Sequence, residues 1–229
     1  MAHRPTWLEN ALDRAIAVPA TRIEERVAVM RRDRPGADTA ELVELAASRF
    51  RTEAALSSGI VGAAAALPAI GTGTAVALTA GQAAVFITSA VTYVLTVAEL
   101  HGLRVVDAER RRALVLSALL GREGSEVVQG QLGLSTLFWA AQVLTQMPTP
   151  TVRSVNAQLA KRAAKRTAAK SGALALGRLV PFGIGAAIGW TGGRALAGQV
   201  IEGAKAALGP ATVHLEDAEA IEGGAPRTT

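Results

Sequence analysis

The residues of this chain that come nearest to a catalytic grouping are Glu99, His101 and Asp107, in the stretch AELHGLRVVD. A carboxylate beside an imidazole can exchange a proton with it, and a second carboxylate can orient the ring, which is the arrangement general acid–base hydrolysis uses. A lipid-acting enzyme is therefore one reading of the chain. The rest of the pattern argues against it. The three histidines, His3, His101 and His214, stand far apart, and no H-x-x-x-H or H-E-x-x-H pair is spaced to hold zinc. No G-x-S-x-G elbow presents a serine. The chain has no cysteine, which excludes a thiolate nucleophile, a thiolate zinc site and a disulfide scaffold. His101 falls at an expected helix C-terminus, where a cationic ring suits the helix dipole. No catalytic, metal or cofactor-binding residue is expected.

Glycine offers a second chemistry. The stretch GIVGAAAALPAIGTGTAVALTAG, residues 59–81, has the texture of a phosphate cradle. A P-loop, however, closes on Gly-Lys-Ser/Thr, and this chain has no lysine before Lys161. Residues 183–189 give G-x-G-x-x-x-G in helical surroundings, where a dinucleotide site needs G-x-G-x-x-G after a strand. Nucleotide binding is expected at neither place.

Charge offers a third. Residues 1–53 balance nine Arg against nine Asp and Glu. Between Glu126 and Glu202 no acidic residue occurs, while Arg153, Lys161, Arg162, Lys165, Arg166, Lys170, Arg178 and Arg194 all do. Lys161, Arg162, Lys165, Arg166 and Lys170 sit on a basic amphipathic helix expected over 151–170, with Val152, Val155, Leu159 and Ala163 on its buried side. Such a face is simply solvated, or meets anionic lipid headgroups, or meets nucleic-acid phosphates. No aromatic interleaves with Lys161 to Lys170 and no base-reading module is present, so nucleic acid is not the expected partner. A polybasic face beside an apolar segment fits anionic lipid better.

The elements that carry these residues read as helices throughout. Half of the 229 residues are hydrophobic but only 3% are aromatic, so the apolar mass is Ala, Val and Leu. No strand pattern persists and no fixed-period repeat occurs. Helices are expected over 5–18 and 20–33, broken at Pro19, with Ile23, Val27 and Met30 on one face of the second. Arg34-Pro35-Gly36 ends it. Asp38 with Glu41 makes a capping-box-like start for the next helix, striped by Val43, Ala46, Ala47, Phe50 and Ala54. Asp107 opens a helix to about Leu120, with Gly121 at C′. Ser135 caps another through Met147, before Pro148 and Pro150. A short apolar stretch over 179–193 and a last helix over about 194–208 belong to a helix pair expected over 174–208, and Gly209-Pro210 ends the helical part. Residues 211–229, with Glu216, Asp217, Glu219 and Glu222, are expected to be a disordered acidic tail.

The 45 residues from Ala54 to Ala98 carry no charge. Pro68, Gly71 and Gly73 divide them into the arms of a helical hairpin. At ~1.5 Å per residue the longer arm reaches ~36 Å, enough for a hydrocarbon core of ~30 Å, while the shorter reaches only ~21–25 Å. Arg49 and Arg51 before it, and Arg104 and Arg110 to Arg112 after it, put both ends on the cytoplasmic side if it spans. The second arm holds Thr79, Gln82, Thr88, Ser89, Thr92, Tyr93 and Thr96, more polar than a usual lipid-facing span. Spanning, reversible insertion at the interface and burial in a protein core all remain open. Gly185, Gly189 and Gly193 fall four apart and give one helix a flat face that another backbone can approach, in water or in lipid.

The order of a glycine-rich apolar hairpin, then AELHGLRVVDAERRRALVLSALLG (98–121), then LVPFGIGAAIGWTGG (179–193) and a last helix, resembles EcsC-like proteins over about 49–208. His101 stands where that pattern has Tyr, and Arg194-Ala195 where it has Asn or Asp after the double glycine. The resemblance implies an all-helical, membrane-associated bacterial protein and carries over no catalytic residue.

Together these readings predict an all-α helical bundle built around the glycine-rich hairpin. A single helical domain is expected over 1–210, comprising an N-terminal helical cap (1–37) and an EcsC-like core (38–210). No secretory signal opens the chain, so the N-terminus is expected in the cytoplasm. The expected role is a non-enzymatic, membrane-associated or lipid-interacting protein at the bacterial cytoplasmic membrane, such as an accessory factor of a membrane complex. The rival from another class is a soluble cytoplasmic module that binds a protein partner or a second copy of itself through its glycine faces.

Overall fold

The computed structural model describes residues 7–65, 72–132, 139–176 and 184–210, and among these every regular element is a helix. Helix α1 (Trp7–Ile16) and α2 (Ala20–Asp33) part at Pro19, whose φ of −58° is already helical and whose missing N–H costs nothing at a helix start. Ile23, Val27 and Met30 are the buried residues of α2, as their spacing predicts. Gly36 takes φ +90° and turns the chain into Asp38, whose Oδ1 accepts the Glu41 N–H at 2.8 Å.

The helix that follows, α3 (Thr39–Ala65), is continuous through the boundary where the uncharged run begins. The first hairpin arm is thus the second half of a longer helix. The other arm is α4 (Thr72–Leu100). Gly73 belongs to the first turn of α4 and not to the connection, while Pro68 and Gly71 lie outside the described residues. Three threonines of α4 bond within the helix itself. Thr88 donates to Ala84 O at 2.9 Å, Thr92 to Thr88 O at 2.8 Å and Thr96 to Thr92 O at 2.6 Å. A hydroxyl bonded to its own preceding turn needs no other partner.

Asp107 accepts the Arg110 N–H at 2.9 Å and opens α5 (Ala108–Leu120), and Gly121 closes it at φ +71°. Ala113, Leu114, Val115 and Ala118 are wholly buried, which makes α5 the central strut of the bundle. Helix α6 (Arg122–Leu132) is not expected from the sequence, because its two glycines and mixed polarity mask its period. Gly124 explains the fit: a Cβ there would lie 2.1 Å from Ser117 O, so only glycine lets α6 turn back against α5. Helix α7 (Trp139–Thr145) follows, with the expected cap Ser135 outside the described residues. The basic helix α8 (Thr149–Leu176) is longer than predicted at both ends, since Pro150 is tolerated in a first turn.

The last helix, α9 (Ile184–Leu208), corrects a second boundary. The apolar stretch ending at Gly193 and the expected helix from 194 are one continuous element. Two of its glycines stand where neighbouring helices occupy the space a side chain would need. A Cβ on Gly193 would lie 2.4 Å from Ala54 O and 2.7 Å from Ser58 Oγ, and one on Gly203 would lie 2.4 Å from Ala118 O. Helix α9 therefore rests on α3 at one end and on α5 at the other. It runs antiparallel to α3. Gly193 meets Ala54, while Glu202 and Glu44 both bear on Tyr93, whose ring stacks on Phe50 at 5.0 Å. Burial, and then Glu44, push the Tyr93 phenol upward.

The two kinds of glycine in α9 give opposite expectations. Gly198 has nothing within 4 Å of its added Cβ. Thermal unfolding should show G203A destabilised by ~1–3 kcal/mol through overpacking against backbone, and G198A stabilised by ~0.5–1 kcal/mol through lost chain entropy.

Candidate lipid-facing site

The acid–base candidates do not converge. His101 is buried, its Nδ1–H donating to Val97 O at 2.8 Å, and its Nε2 has no partner among the described residues. Asp107 is committed to capping α5. Glu99 lines a small cleft with Ala20, Ile23, Arg104 and Arg111, but neither His101 nor Asp107 does. Burial pushes the Glu99 carboxyl above the usual carboxylate range, Glu24 adds to the push, and Arg104 opposes it. Arg111 in that cleft is 5% exposed and has no acidic partner among the described residues. Its Nη1 donates to Ile16 O at 3.0 Å and also to Val18 O, and its Nε donates to Val105 O, so it ties the end of α1 to α5. Sequence alone gives no signal for this role. Among the described residues no group of His, Asp and Glu gathers to hold a metal ion.

The basic face of α8 is less free than its composition suggests. Arg162 Nε pairs with Glu123 Oε1 at 2.6 Å. Arg166 donates to Leu120 O at 3.1 Å and to Gln199 Oε1 at 2.9 Å, and Gln199 in turn donates to Leu119 O at 2.7 Å. Arg166 and Gln199 thus satisfy two C-terminal carbonyls of α5, which have no intrahelical partner. Lys161 and Lys165 are exposed and have no acidic partner among the described residues. The side chain of Lys170, although the residue lies in α8, falls outside the described set. Beside the two lysines runs a groove of about 420 Å³ between α6 and α8, lined by Val127, Gln158, Lys161, Arg162 and Lys165. A wider groove of about 580 Å³ between α2 and α3 carries both signs, with Arg26 and Glu53 3.8 Å apart across it.

The uncharged segments meet at one end of the bundle. On α3 the last charge is Glu53, and on α9 the first is Arg194. The contact of Gly193 with Ala54 sets these two limits at the same level. Because the helices are antiparallel, α3 beyond Ala54 and α9 before Gly193 run the same way, toward the start of α4. Gly185 and Gly189 belong to that half of α9, and what meets them lies outside the described residues. Four of the exposed large apolar side chains stand on these helices: Leu56 (50% exposed), Val85 (53%), Trp190 (38%) and Leu196 (45%).

Among the described residues one stretch, Gly81–Leu100, is long and apolar enough to cross a bilayer. More than half of it is buried inside the protein, where Val91, Val94, Leu95 and Val97 pack in the core. Comparison with protein-family models, curated proteins and solved structures returned no match.

The Glu99 cleft yields a pH expectation. A carboxyl that holds its proton more tightly folded than unfolded gives stability that falls as pH rises above its ordinary 4.5. E99Q should therefore raise the melting temperature relative to the parent at neutral pH, and the difference should vanish below that value.

Proposed function

We propose that this chain is a non-enzymatic, membrane-associated helical protein that docks the uncharged end of its bundle into one leaflet, with anionic headgroups drawn to its basic flank. The observation that carries this reading is the register of α9 on α3, which ends the charges of both helices at one level. Two packed helices whose charges stop at a common level, with Leu56, Trp190 and Leu196 on them and Val85 on α4 left uncovered, have the form of an interfacial anchor.

Depth favours one leaflet over a full crossing. From Ala54 to the end of α3, and from Gly193 back to the start of α9, the uncharged lengths are ~18 and ~15 Å at the helical rise, about half of a ~30 Å hydrocarbon core. The stretch of α4 with the composition of a span has its C-terminal half enclosed by protein. The resemblance to EcsC-like proteins over 49–208 agrees with this reading and points to the cytoplasmic side of a bacterial membrane. A soluble module using the same apolar end for a partner or a second copy is the competing outcome of the test.

Cells expressing the chain without detergent would be fractionated, and the membranes washed with high salt and then with carbonate. Retention through salt and release by carbonate is the expected result, and recovery in the soluble fraction at low salt would remove the proposal. In vesicle flotation the exposed-site double variant L56D/L196D should lose binding by about tenfold or more, since burying each leucine contributes ~1.5–3 kcal/mol. An unchanged, discrete dimer of the parent in solution that the same variant dissociates would favour the soluble module.

A further inference from the structure

We propose that the groove between α6 and α8 binds the outward phosphate of a phosphorylated sugar headgroup, so that the protein selects one class of anionic lipid. This rests on the membrane reading above and adds the ligand.

The argument starts from the groove's shape and donors. Gln158, Lys161 and Lys165 stand at i, i+3 and i+7 of α8, so they share one face. Their groove is concave, about 420 Å³, with Val127 of α6 on the opposite wall. That volume falls within the ~300–1,000 Å³ typical of small-molecule sites. A flat basic surface senses only the average potential of a membrane, whereas a concave one can hold a discrete group. Both lysines lack acidic partners among the described residues, so their charge is available. Arg162 lines the same groove, oriented by Glu123 of α6. A phosphomonoester brings a charge of about −1.5 to −2 and three acceptor oxygens, which suits two ammonium groups and an amide better than a single phosphodiester charge does.

Position decides which phosphate can reach. The bond from Arg166 to Gln199 places that part of α8 level with Gln199 of α9. Gln199 lies six residues past Gly193, ~9 Å beneath the level where the charges of α3 and α9 stop. Helix α8 runs parallel to α5 (Asn156 on Glu109, Arg166 on Leu120) and α5 antiparallel to α9 (Leu119 by Gln199, Ala118 by Gly203), so Lys161 lies ~7 Å deeper still at the helical rise. The polar layer on each side of a bilayer is only ~5–8 Å thick. The backbone phosphodiester of an ordinary glycerophospholipid is therefore out of reach of Lys161, and only the extended side chain of Lys165 approaches it. A phosphate carried on the far side of a sugar ring projects out of that layer and down to Lys165 and Lys161.

The test is flotation of the full chain with phosphatidylcholine vesicles containing either phosphatidylinositol 4-phosphate or phosphatidylserine, at matched surface charge. The expected result is preference for the phosphoinositide, lost on the order of tenfold in K161A/K165A, while binding to the phosphatidylserine vesicles changes little. Both lysines are exposed, so the variant keeps the fold, and its melting temperature checks this. Soluble inositol phosphate should compete only for the phosphoinositide preference. Equal binding of the parent to the two charge-matched vesicles, or an unchanged preference in the double variant, overturns the groove assignment and leaves membrane docking standing. Failure to bind vesicles of any composition overturns both.

Discussion

Helix α9 approaches α3 and α5 more closely than any side chain permits, and most of the molecule follows from that. At Gly193 and Gly203 the facing atoms are backbone oxygens of Ala54 and Ala118, and the residues around them are small and buried, Ala55, Ala197, Ala204 and Ala207 among them. A chain with 3% aromatic residues has few large groups with which to fill a wide gap between helices, so it closes the gap instead. Close packing at native density then tolerates little displacement. Sliding α9 by one residue along α3 would drive Arg194 or Gly192 into the place of Gly193. The same constraint that stabilises the bundle also fixes the level of Arg194 against Glu53, and hence the common level at which the charges of α3 and α9 end.

The arginines form the second layer of that design. Arg111 gathers carbonyls from α1 and from the residues leading into α5, Arg110 donates to Val143 O at 3.1 Å and Met147 O at 3.0 Å at the end of α7, and Arg166 closes α5. Each meets carbonyls that helix termini leave without partners, and a planar guanidinium with several donors can serve two or three at once. These cations are structural. The charge available to an outside partner is accordingly smaller than a count along the sequence gives, and the basic face of α8 narrows from five residues to the two lysines whose exposure and lack of acidic partners are described.

Local features of this fold are legible in the sequence and distant ones are not. Pro19, Asp38, Asp107 and Gly121 mark helix limits through chemistry that acts within four residues, and the structure has caps and breaks at each. The stripe Val43, Ala46, Ala47, Phe50, Ala54 is buried as its period requires. Glycine is legible only in part. Gly193 offers the flat face its spacing suggests and meets the backbone of Ala54, but it lies inside α9 and not at the end of an apolar stretch, and α6 is not expected although Gly124 lets it turn back on Ser117. The role of Arg111 depends on Ile16 and Val18, more than ninety positions away in the chain. The candidate site behaves likewise: the cluster of lysines and arginines is visible in sequence, but which of them are free depends on Glu123 and Gln199.

That division of labour between the two basic side chains has a chemical consequence. The chain contains four lysines, Lys161, Lys165, Lys170 and Lys205, and all of them belong to α8 and α9. Primary amines on side chains are therefore confined to these two helices, while the guanidinium groups of Arg110, Arg111 and Arg166 tie helix ends together. Among side chains, a reagent that acylates amines would read those two helices alone, and its footprint would shrink in step with whatever comes to lie against them.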